Sequence, residues 1–202
     1  MVHYTCCTIW KRLISISLHT HYVCALLCVL ALLHVGIVSR ASAQQTLAPM
    51  EEEQLQASFI WQFLQLTEWS PPQALPENIF TLGIVGTSRV EEFLEHITRN
   101  RKLPDGKTVV LRKITTLDDI ERCRAVYVCV SETLRLPQIL ARSKNKPVLT
   151  IGRDPQFIEK GGIINFFAEN NRLRYEINLD EASTSSITFS SKLLRFGRLY
   201  KR

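Results

Sequence analysis

Polar residues that alternate with large apolar ones make residues 161–179, GGIINFFAENNRLRYEINL, the first candidate for a functional surface. In an extended strand, side chains at a two-residue spacing lie on the same face, so the two amides and the Arg/Glu pair are expected to share one side of the strands. Such a row recognises a polar ligand or a partner protein when it is exposed. It is only a solvated rim when another element covers the apolar residues beside it. The row consists of Asn165, Arg174, Glu176 and Asn178.

The pair Asn170-Asn171 predicts a two-residue hairpin loop, because asparagine tolerates the positive φ of a type I′ turn. A loop centred there fixes the register of the two strands. One face then carries only apolar residues and is expected in the core: Ile164, Phe166, Ala168, Leu173, Tyr175 and Ile177. The other face is mixed, with Ile163 opposite Asn178, Asn165 opposite Glu176, and Phe167 opposite Arg174.

Two interpretations of the mixed face stay open. A terminal helix is predicted within residues 190–200, with Ser190 or Ser191 as its cap, and it could cover Ile163 and Phe167. One face of that helix would carry Leu193, Leu194, Phe196 and Leu199. Alternatively, the mixed face is a partner or ligand surface. In that case the candidate contact residues are Asn165, Phe167, Arg174, Glu176, Asn178 and Arg195.

Other residue types that could do chemistry lack the spacing that the chemistry needs. The Gly83–Ser88 stretch leads from a strand into a helix but has neither dinucleotide nor Walker spacing, so a plain tight turn is expected. His96 lies on the polar side of a predicted helix, and no G-x-S-x-G elbow occurs for a nucleophilic serine. Acidic pairs fall at predicted helix starts, where the helix dipole favours them. We therefore expect no catalytic site and no cofactor.

The first 43 residues have the composition of a secretory signal peptide: two basic residues, an apolar run and a small-residue A-S-A end. An uncleaved anchor is the rival, but the apolar run is shorter than a spanning helix needs. We expect cleavage after Ala43, a periplasmic location, and a single domain over residues 44–202. The segment holds three basic and no acidic residues, so the net charge falls from +6 to +3. This charge gives no argument for nucleic-acid binding.

The cysteines and histidines outside this segment are too few for a typical zinc site. Only Cys123, Cys129 and His96 lie there, whereas structural zinc takes four ligands. The strand predicted from Ala125 separates the two cysteines by roughly 20 Å, far beyond disulfide reach. Both thiols are expected to be buried or unpaired.

The order of the predicted elements indicates an α/β fold. A helix from Met50 to Trp69 is followed by apolar runs that alternate with helical patterns. The expected strands are 80–85, 108–112, 125–130 and 147–151, and the expected helices are 90–97, 117–122 and 132–143. This alternation predicts a mostly parallel sheet with helices on both faces. The domain would close with an antiparallel β-hairpin and a C-terminal helix.

Taken together, these features resemble the YfiR family of exported bacterial regulators. The matching segments are ASFIWQFL (57–64), LGIVG (82–86), CRAVYV (123–128), PVLTIG (147–152), GGIINF (161–166), RLRYEINL (172–179) and SSKLLR (190–195). The likeness covers nearly all of the chain after residue 43, and its C-terminal third is the specific part.

The resemblance implies a non-enzymatic periplasmic protein that represses an inner-membrane diguanylate cyclase and so lowers cyclic-di-GMP signalling and biofilm formation. It also implies a homodimer and a possible outer-membrane lipoprotein partner. Some members have disulfides on or beside the sheet, whereas here Gly83 and residues 154–166 offer Cys123 no partner. The alternative function is a periplasmic small-molecule binding module without a cyclase partner.

Overall fold

The computed structural model describes residues 49–70 and 78–201 of the chain. The expected signal peptide, with its cleavage after Ala43, lies outside the described residues. Within the described residues, no helix combines the length and apolar character needed to cross a membrane.

The helices that the structure shows are α1 (Pro49–Gln65), α2 (Val90–Thr98), α3 (Leu136–Ser143), α4 (Leu179–Thr184) and α5 (Ser191–Leu194), with 3-10 segments at Leu117–Arg122 and Val130–Arg135. The strands are β1 (Thr67–Trp69), β2 (Ile79–Val85), β3 (Thr108–Ile114), β4 (Ala125–Val128), β5 (Leu149–Gly152), β6 (Ile164–Glu169), β7 (Arg172–Asn178), β8 (Ile187–Phe189) and β9 (Arg198–Tyr200).

Seven of these strands form one sheet, in the order β3-β2-β4-β5-β6-β7-β9. Every neighbouring pair is parallel except the β6–β7 hairpin, so the expected mostly parallel sheet is confirmed. The short strands β1 and β8 form a separate antiparallel pair that the sequence did not predict.

Both faces of the central parallel strands are covered, as predicted, whereas the edge strand β3 exposes Thr108, Val110 and Arg112 on one face. Helices α1 and α2 contribute to one apolar cluster, together with Leu82, Tyr127 and Ile151 from the sheet. The 3-10 segment at Leu117–Arg122 and helix α3 cover the other face, with Val126 and Phe157 in the second cluster. All residues of β4 and β5 are buried, which is the pattern of strands enclosed on both sides.

The predicted hairpin register is confirmed residue by residue, from Ile164 opposite Ile177 to Ala168 opposite Leu173. Both loop asparagines have positive φ, 49° at Asn170 and 59° at Asn171, as a type I′ turn requires. The expectation that Ala168 is buried is wrong, because this residue lies near the hairpin tip and is exposed.

The C-terminal helix is present but much shorter than expected. Ser190 caps α5 through its side-chain oxygen, which accepts from the backbone N–H of Lys192, and the helix ends at Leu194. The chain then passes close to the hairpin at Gly197, where a Cβ atom would lie 2.7 Å from Cε2 of Tyr175. After this contact it continues as β9, parallel to β7. The apolar residues expected on one helical face are therefore divided between a helical turn and a strand.

Candidate functional site

The apolar face of the hairpin packs against helix α1 through aromatic rings. The ring of Phe63 lies 4.9 Å from that of Tyr175 and 5.6 Å from that of Phe166, measured between centroids. Phe59 adds a contact at 5.6 Å to Tyr175, whose hydroxyl donates to the backbone carbonyl of Leu193 at 2.9 Å. This face therefore belongs to the core, and α5 lies on it.

Of the two interpretations of the mixed face, covering by a terminal helix is not what the structure shows. Leu193 of α5 belongs to the cluster on the apolar face, so the helix lies on the opposite side of the hairpin from Phe167 and Arg174. The helix is only four residues long, and Gly197 leads the chain past Tyr175 and Ile177, which are also on the apolar face. Ile163 is buried in the main apolar cluster, whereas Phe167 stays half-buried.

The mixed face divides into a buried base and an exposed tip. At the base, Asn165 is 2 % exposed and Asn178 is 4 % exposed. The oxygen Oδ1 of Asn165 accepts from the backbone N–H of Asp154 at 3.1 Å, and its Nδ2 donates to Oε1 of Glu176 at 3.0 Å. These bonds join the turn after β5 to the hairpin.

Asn178 has a similar structural environment at the end of β7. Its Oδ1 accepts from the backbone N–H of Glu181 at 3.1 Å and so caps the first turn of α4. Its Nδ2 donates to the carbonyl of Ile158 at 3.5 Å. In this conformation Asn165 and Asn178 offer almost no surface to a partner, and their amide groups are used within the chain.

The exposed tip is formed by residues of β6, β7 and β9. Arg198 of β9 places its guanidinium carbon 4.1 Å from the centroid of the Phe167 ring and also forms an ion pair with Glu169. Arg174, directly opposite Phe167, is exposed, and its side chain makes no hydrogen bond or ion pair with any described residue. We call the surface formed by Phe167, Glu169, Arg172, Arg174, Glu176 and Arg198 the hairpin tip face.

Arg195 was predicted with this group but lies just after α5. It is exposed, and only its backbone N–H is bonded, to the carbonyl of Ser191 at 3.1 Å. The sequence analysis did not identify Arg198 as a member of this face. Residues 198–200 were predicted to be helical, whereas they form strand β9, which places Arg198 beside Phe167.

The carboxyl ends of the parallel strands are the usual ligand site in an open α/β sheet, at the point where the connections diverge. Here that point lies between β2 and β4. The hydroxyl oxygen of Ser131 accepts from the backbone N–H of Thr87 at 3.0 Å, and a Cβ on Gly86 would meet Cγ of Glu132 at 2.6 Å. The loop after β4 thus packs directly onto the loop after β2, in agreement with the expected plain turn. The cavity beside it has about 10 Å³, enough for about one water molecule.

The two cysteines are separate, buried and free of disulfides, as predicted. Burial raises the pKa of the Cys123 thiol to about 11 and that of Cys129 to about 12. Both thiols are therefore protonated near neutral pH and are poor nucleophiles. Among the described residues, no group of three or more His, Cys, Asp or Glu side chains is placed to hold a metal ion.

A larger cleft lies at the opposite end of the sheet. It has a volume of about 460 Å³, and its described lining includes Leu64, Trp69, Phe80, Lys107 and Arg124. The indole nitrogen Nε1 of Trp69 is buried and has no hydrogen-bond partner among the described residues. The sequence analysis did not anticipate this cleft, because the strand β1 that brings Trp69 there was predicted as helix.

The fold is similar to that of solved structures at low sequence identity. A conserved domain protein from Vibrio cholerae O1 biovar El Tor matches with a TM-score of 0.51 and 12 % identity, over 74 % of this chain and 60 % of that one. An ABC domain in complex with L-Trp from Streptococcus pneumoniae matches with a TM-score of 0.47 and 16 % identity, over 73 % of this chain and 60 % of that one. The chain thus spans about three fifths of the length of these structures. No curated protein matches it.

The family is assigned by sequence. The family model described as YfiR/HmsC-like matches residues 53–198, which include most of α1, strands β1 to β8 with the hairpin, and the first residue of β9. The chain therefore belongs to the YfiR/HmsC-like family.

Proposed function

We propose that this protein is an exported, non-enzymatic regulator that binds the periplasmic domain of an inner-membrane diguanylate cyclase and represses it. Family membership supports a periplasmic regulator of cyclase signalling. The observation that carries the proposal on this chain is the hairpin tip face, where the side chain of Arg174 is exposed and forms no hydrogen bond or ion pair with the described residues. Rigid strands hold an aromatic ring and several arginines there, and residues of these types often anchor protein interfaces.

The electrostatics of the tip favour recognition of a protein surface. Arg198 is held over Phe167 and paired with Glu169, so one cation is fixed in place while Arg174 is free to pair with an external carboxylate. A planar guanidinium binds a carboxylate through two parallel hydrogen bonds, which gives geometric specificity as well as affinity. The contact residues proposed on this face are Phe167, Arg174 and Glu176, and Asn165 supports Glu176 from below. Arg195, beside α5, is proposed as a separate exposed contact, and Asn178 supports the base of the hairpin by capping α4.

The test combines a cellular and a biochemical measurement. Deleting the gene in a strain that contains a diguanylate cyclase with a periplasmic domain is expected to raise cellular cyclic-di-GMP, and restoring the gene is expected to lower it again. The purified protein is expected to bind the periplasmic domain of that cyclase directly. Unchanged cyclic-di-GMP together with no direct binding would contradict the proposal.

Further features of the proposal follow from the same assignment and have their own tests. We expect signal cleavage after Ala43, so the N-terminal residue of protein recovered from the periplasm is expected to be Gln44. A homodimer is expected by sedimentation. Release of the cyclase by an outer-membrane lipoprotein is expected when the two are mixed with the complex.

A second candidate function is favoured by one observation, the cleft of about 460 Å³ beside Trp69. Its volume suits a small metabolite, its lining is partly aromatic, and the Trp69 indole N–H could donate to a bound acceptor. The protein would then be a periplasmic small-molecule binding module. A thermal-shift screen of envelope metabolites, repeated with Trp69→Phe, tests this function. A ligand whose stabilising effect is lost in the variant supports it, and the absence of any stabilising ligand contradicts it.

A further inference from the structure

Strand β9 leaves one edge of the main sheet open. Its residues pair with β7 on one side, from Glu176 opposite Arg198 to Asn178 opposite Tyr200. In the part of the chain that the structure describes, no strand lies on its other side. Backbone N–H and C=O groups on such an edge can pair with a strand from another chain. The edge is therefore a template for β-augmentation.

Apolar side chains are exposed next to this edge. Phe196, directly before the strand, is 67 % exposed, and Leu199, in the middle of the strand, is 42 % exposed. Leu199 lies beside Ile177, so it extends the apolar face of the hairpin to the rim of the sheet. An added strand would gain apolar contacts on this face as well as backbone hydrogen bonds.

The charge along the edge determines which kind of strand fits. Residues 190–202 contain five basic residues and no acidic residue. Arg198 lies on the same face of the sheet as Arg174, and both are exposed. A second copy of this chain would bring the same positive charge to the edge, whereas an acidic segment would be attracted to it.

The opposite edge of the sheet is less open. Thr108 at the start of β3 pairs with Lys102 in an antiparallel bridge, which occupies part of that edge. Lys113 near the end of β3 forms an ion pair of 2.9 Å with Glu91 of α2. One cation at each edge is thus compensated within the chain, since Arg198 pairs with Glu169, and the bridge at Thr108 is the difference between the two edges.

We propose that β9 accepts an acidic, extended segment of a partner protein as an additional strand, with Phe196 and Leu199 as its apolar contacts and Arg198 and Lys201 as its electrostatic ones. The inference rests on the proposed function in one respect, that the protein acts by binding a partner protein. An anionic membrane surface would share the electrostatic attraction. It would not form the directional backbone pairing that a strand edge offers, so the strand is the occupant that the geometry favours.

The test uses synthetic probes. A capped decapeptide of alternating β-branched residues and glutamate is titrated against the purified protein by fluorescence anisotropy. There are three control peptides. One carries lysine in place of glutamate, and the other two carry a methyl group on every second backbone nitrogen, one in each of the two possible phases. We expect the acidic peptide to bind, the lysine peptide to bind at least about tenfold more weakly, and one methylated phase to lose at least about tenfold in affinity. Vesicles that contain phosphatidylglycerol form a separate arm.

Variants then locate the binding. Phe196→Ser is expected to weaken binding of the acidic peptide about tenfold, since apolar contacts at a strand edge contribute to affinity. The matched control is Leu134→Ser. It replaces a side chain that is 94 % exposed in the 3-10 segment Val130–Arg135, outside the β9 edge, and it is expected to leave binding unchanged. Charge reversal by Arg198→Glu is expected to reduce binding of the acidic peptide and to improve binding of the lysine peptide.

Three outcomes would overturn the inference: no peptide binding at millimolar concentration, equal binding of the acidic and lysine peptides, or unchanged affinity after backbone methylation in both phases. Binding to the vesicles without binding to the peptide would assign the edge to a membrane surface instead. The experiment contains no cyclase. Peptide binding by a protein that does not bind the cyclase would therefore refute the proposed function and leave the strand edge established.

Discussion

The two halves of the main sheet differ in how they are covered, and this difference separates scaffold from surface. In the parallel half, strands β2, β4 and β5 are covered by helical segments on both faces, and β4 and β5 are completely buried, whereas the edge strand β3 exposes Val110 and Arg112. In the hairpin half, β7 alternates between buried and exposed residues, β6 changes from buried at its start to exposed at the tip, and both contact helix α1 on one face. The central strands of the parallel half thus offer almost no polar side chain to solvent, whereas the hairpin tip offers several.

The same difference in covering explains why members of the polar row have different roles: Asn165 and Asn178 are buried and structural, whereas Arg174 is exposed. Where the hairpin joins the parallel half, the turn after β5 lies over it and buries Asn165. Toward the tip, the turn no longer covers the strands, and Arg174 is exposed. Position along the strand, rather than residue type, decides which member of the row is structural.

The strongest way to break the link between the halves is Phe63→Ala. Phe63 of α1 contacts Phe166 and Tyr175, so its removal leaves a cavity between the helix and the hairpin. We expect a loss of about 3–5 kcal/mol in the free energy of unfolding, measured by urea denaturation. Leu134→Ala, at a highly exposed position, is the control and is expected to change stability by less than about 0.5 kcal/mol. Equal effects of the two substitutions would show that α1 does not hold the hairpin.

The covered half makes a second prediction, about thiol reactivity. Because burial raises the pKa of Cys123 to about 11 from an ordinary value of 9.0, the thiolate fraction at about pH 8 falls about a hundredfold. Cys129 is expected to be at least as unreactive. Reaction with a disulfide reagent is therefore expected to be at least about a hundredfold slower in the native protein than in urea.

The pH dependence has a defined sign. A thiol whose pKa is raised in the folded state stabilises the fold below the unfolded pKa, and this stabilisation is lost as pH rises toward the folded values of about 11 and 12. Stability is thus expected to fall above about pH 9, and less steeply in a Cys123→Val, Cys129→Val variant. Rapid labelling of the native protein at about pH 8 would contradict the burial of these residues.

A smaller effect tests the buried base of the mixed face. Asn165→Ala removes the acceptor for the Asp154 backbone N–H and the donor to Glu176, so it leaves a buried donor without its partner. We expect a loss of about 1–3 kcal/mol in unfolding free energy. The matched control is Asn100→Ala, at an exposed asparagine after α2, with an expected change of less than about 0.5 kcal/mol. A stable Asn165 variant that fails to bind its partner would instead assign this amide to the interface.

Local signals were sufficient to predict the parallel strands and the hairpin. The apolar runs of β2, β4 and β5 lie between turn residues, and the Asn170-Asn171 pair alone fixed the register that the structure shows. Those features depend on residues near each other in the chain. The family likeness, carried mainly by residues 161–195, agrees with the family that the chain matches.

The features that were missed depend on contacts between distant residues. The apolar residues near the C-terminus have helical spacing: Leu193, Leu194, Phe196 and Leu199. The helix nevertheless ends at Leu194, because the chain passes close to Tyr175 at Gly197 and then continues as strand β9. Likewise, the bond between the Asp154 backbone and Asn165 joins residues from separate elements, so the burial of Asn165 was not visible in the alternation pattern. The pairing of β1 with β8 joins residues more than a hundred positions apart.

The most direct test of the proposed surface is Arg174→Ala, measured for both binding and stability. The side chain of Arg174 is exposed and makes no hydrogen bond or ion pair with the described residues, so the free energy of unfolding is expected to change by less than about 0.5 kcal/mol. Its affinity for the periplasmic domain of the cyclase is expected to fall at least about tenfold. Arg112→Ala, at an exposed arginine on β3, is the matched control and is expected to bind normally. Unchanged affinity in Arg174→Ala, with the fold intact, would contradict the account.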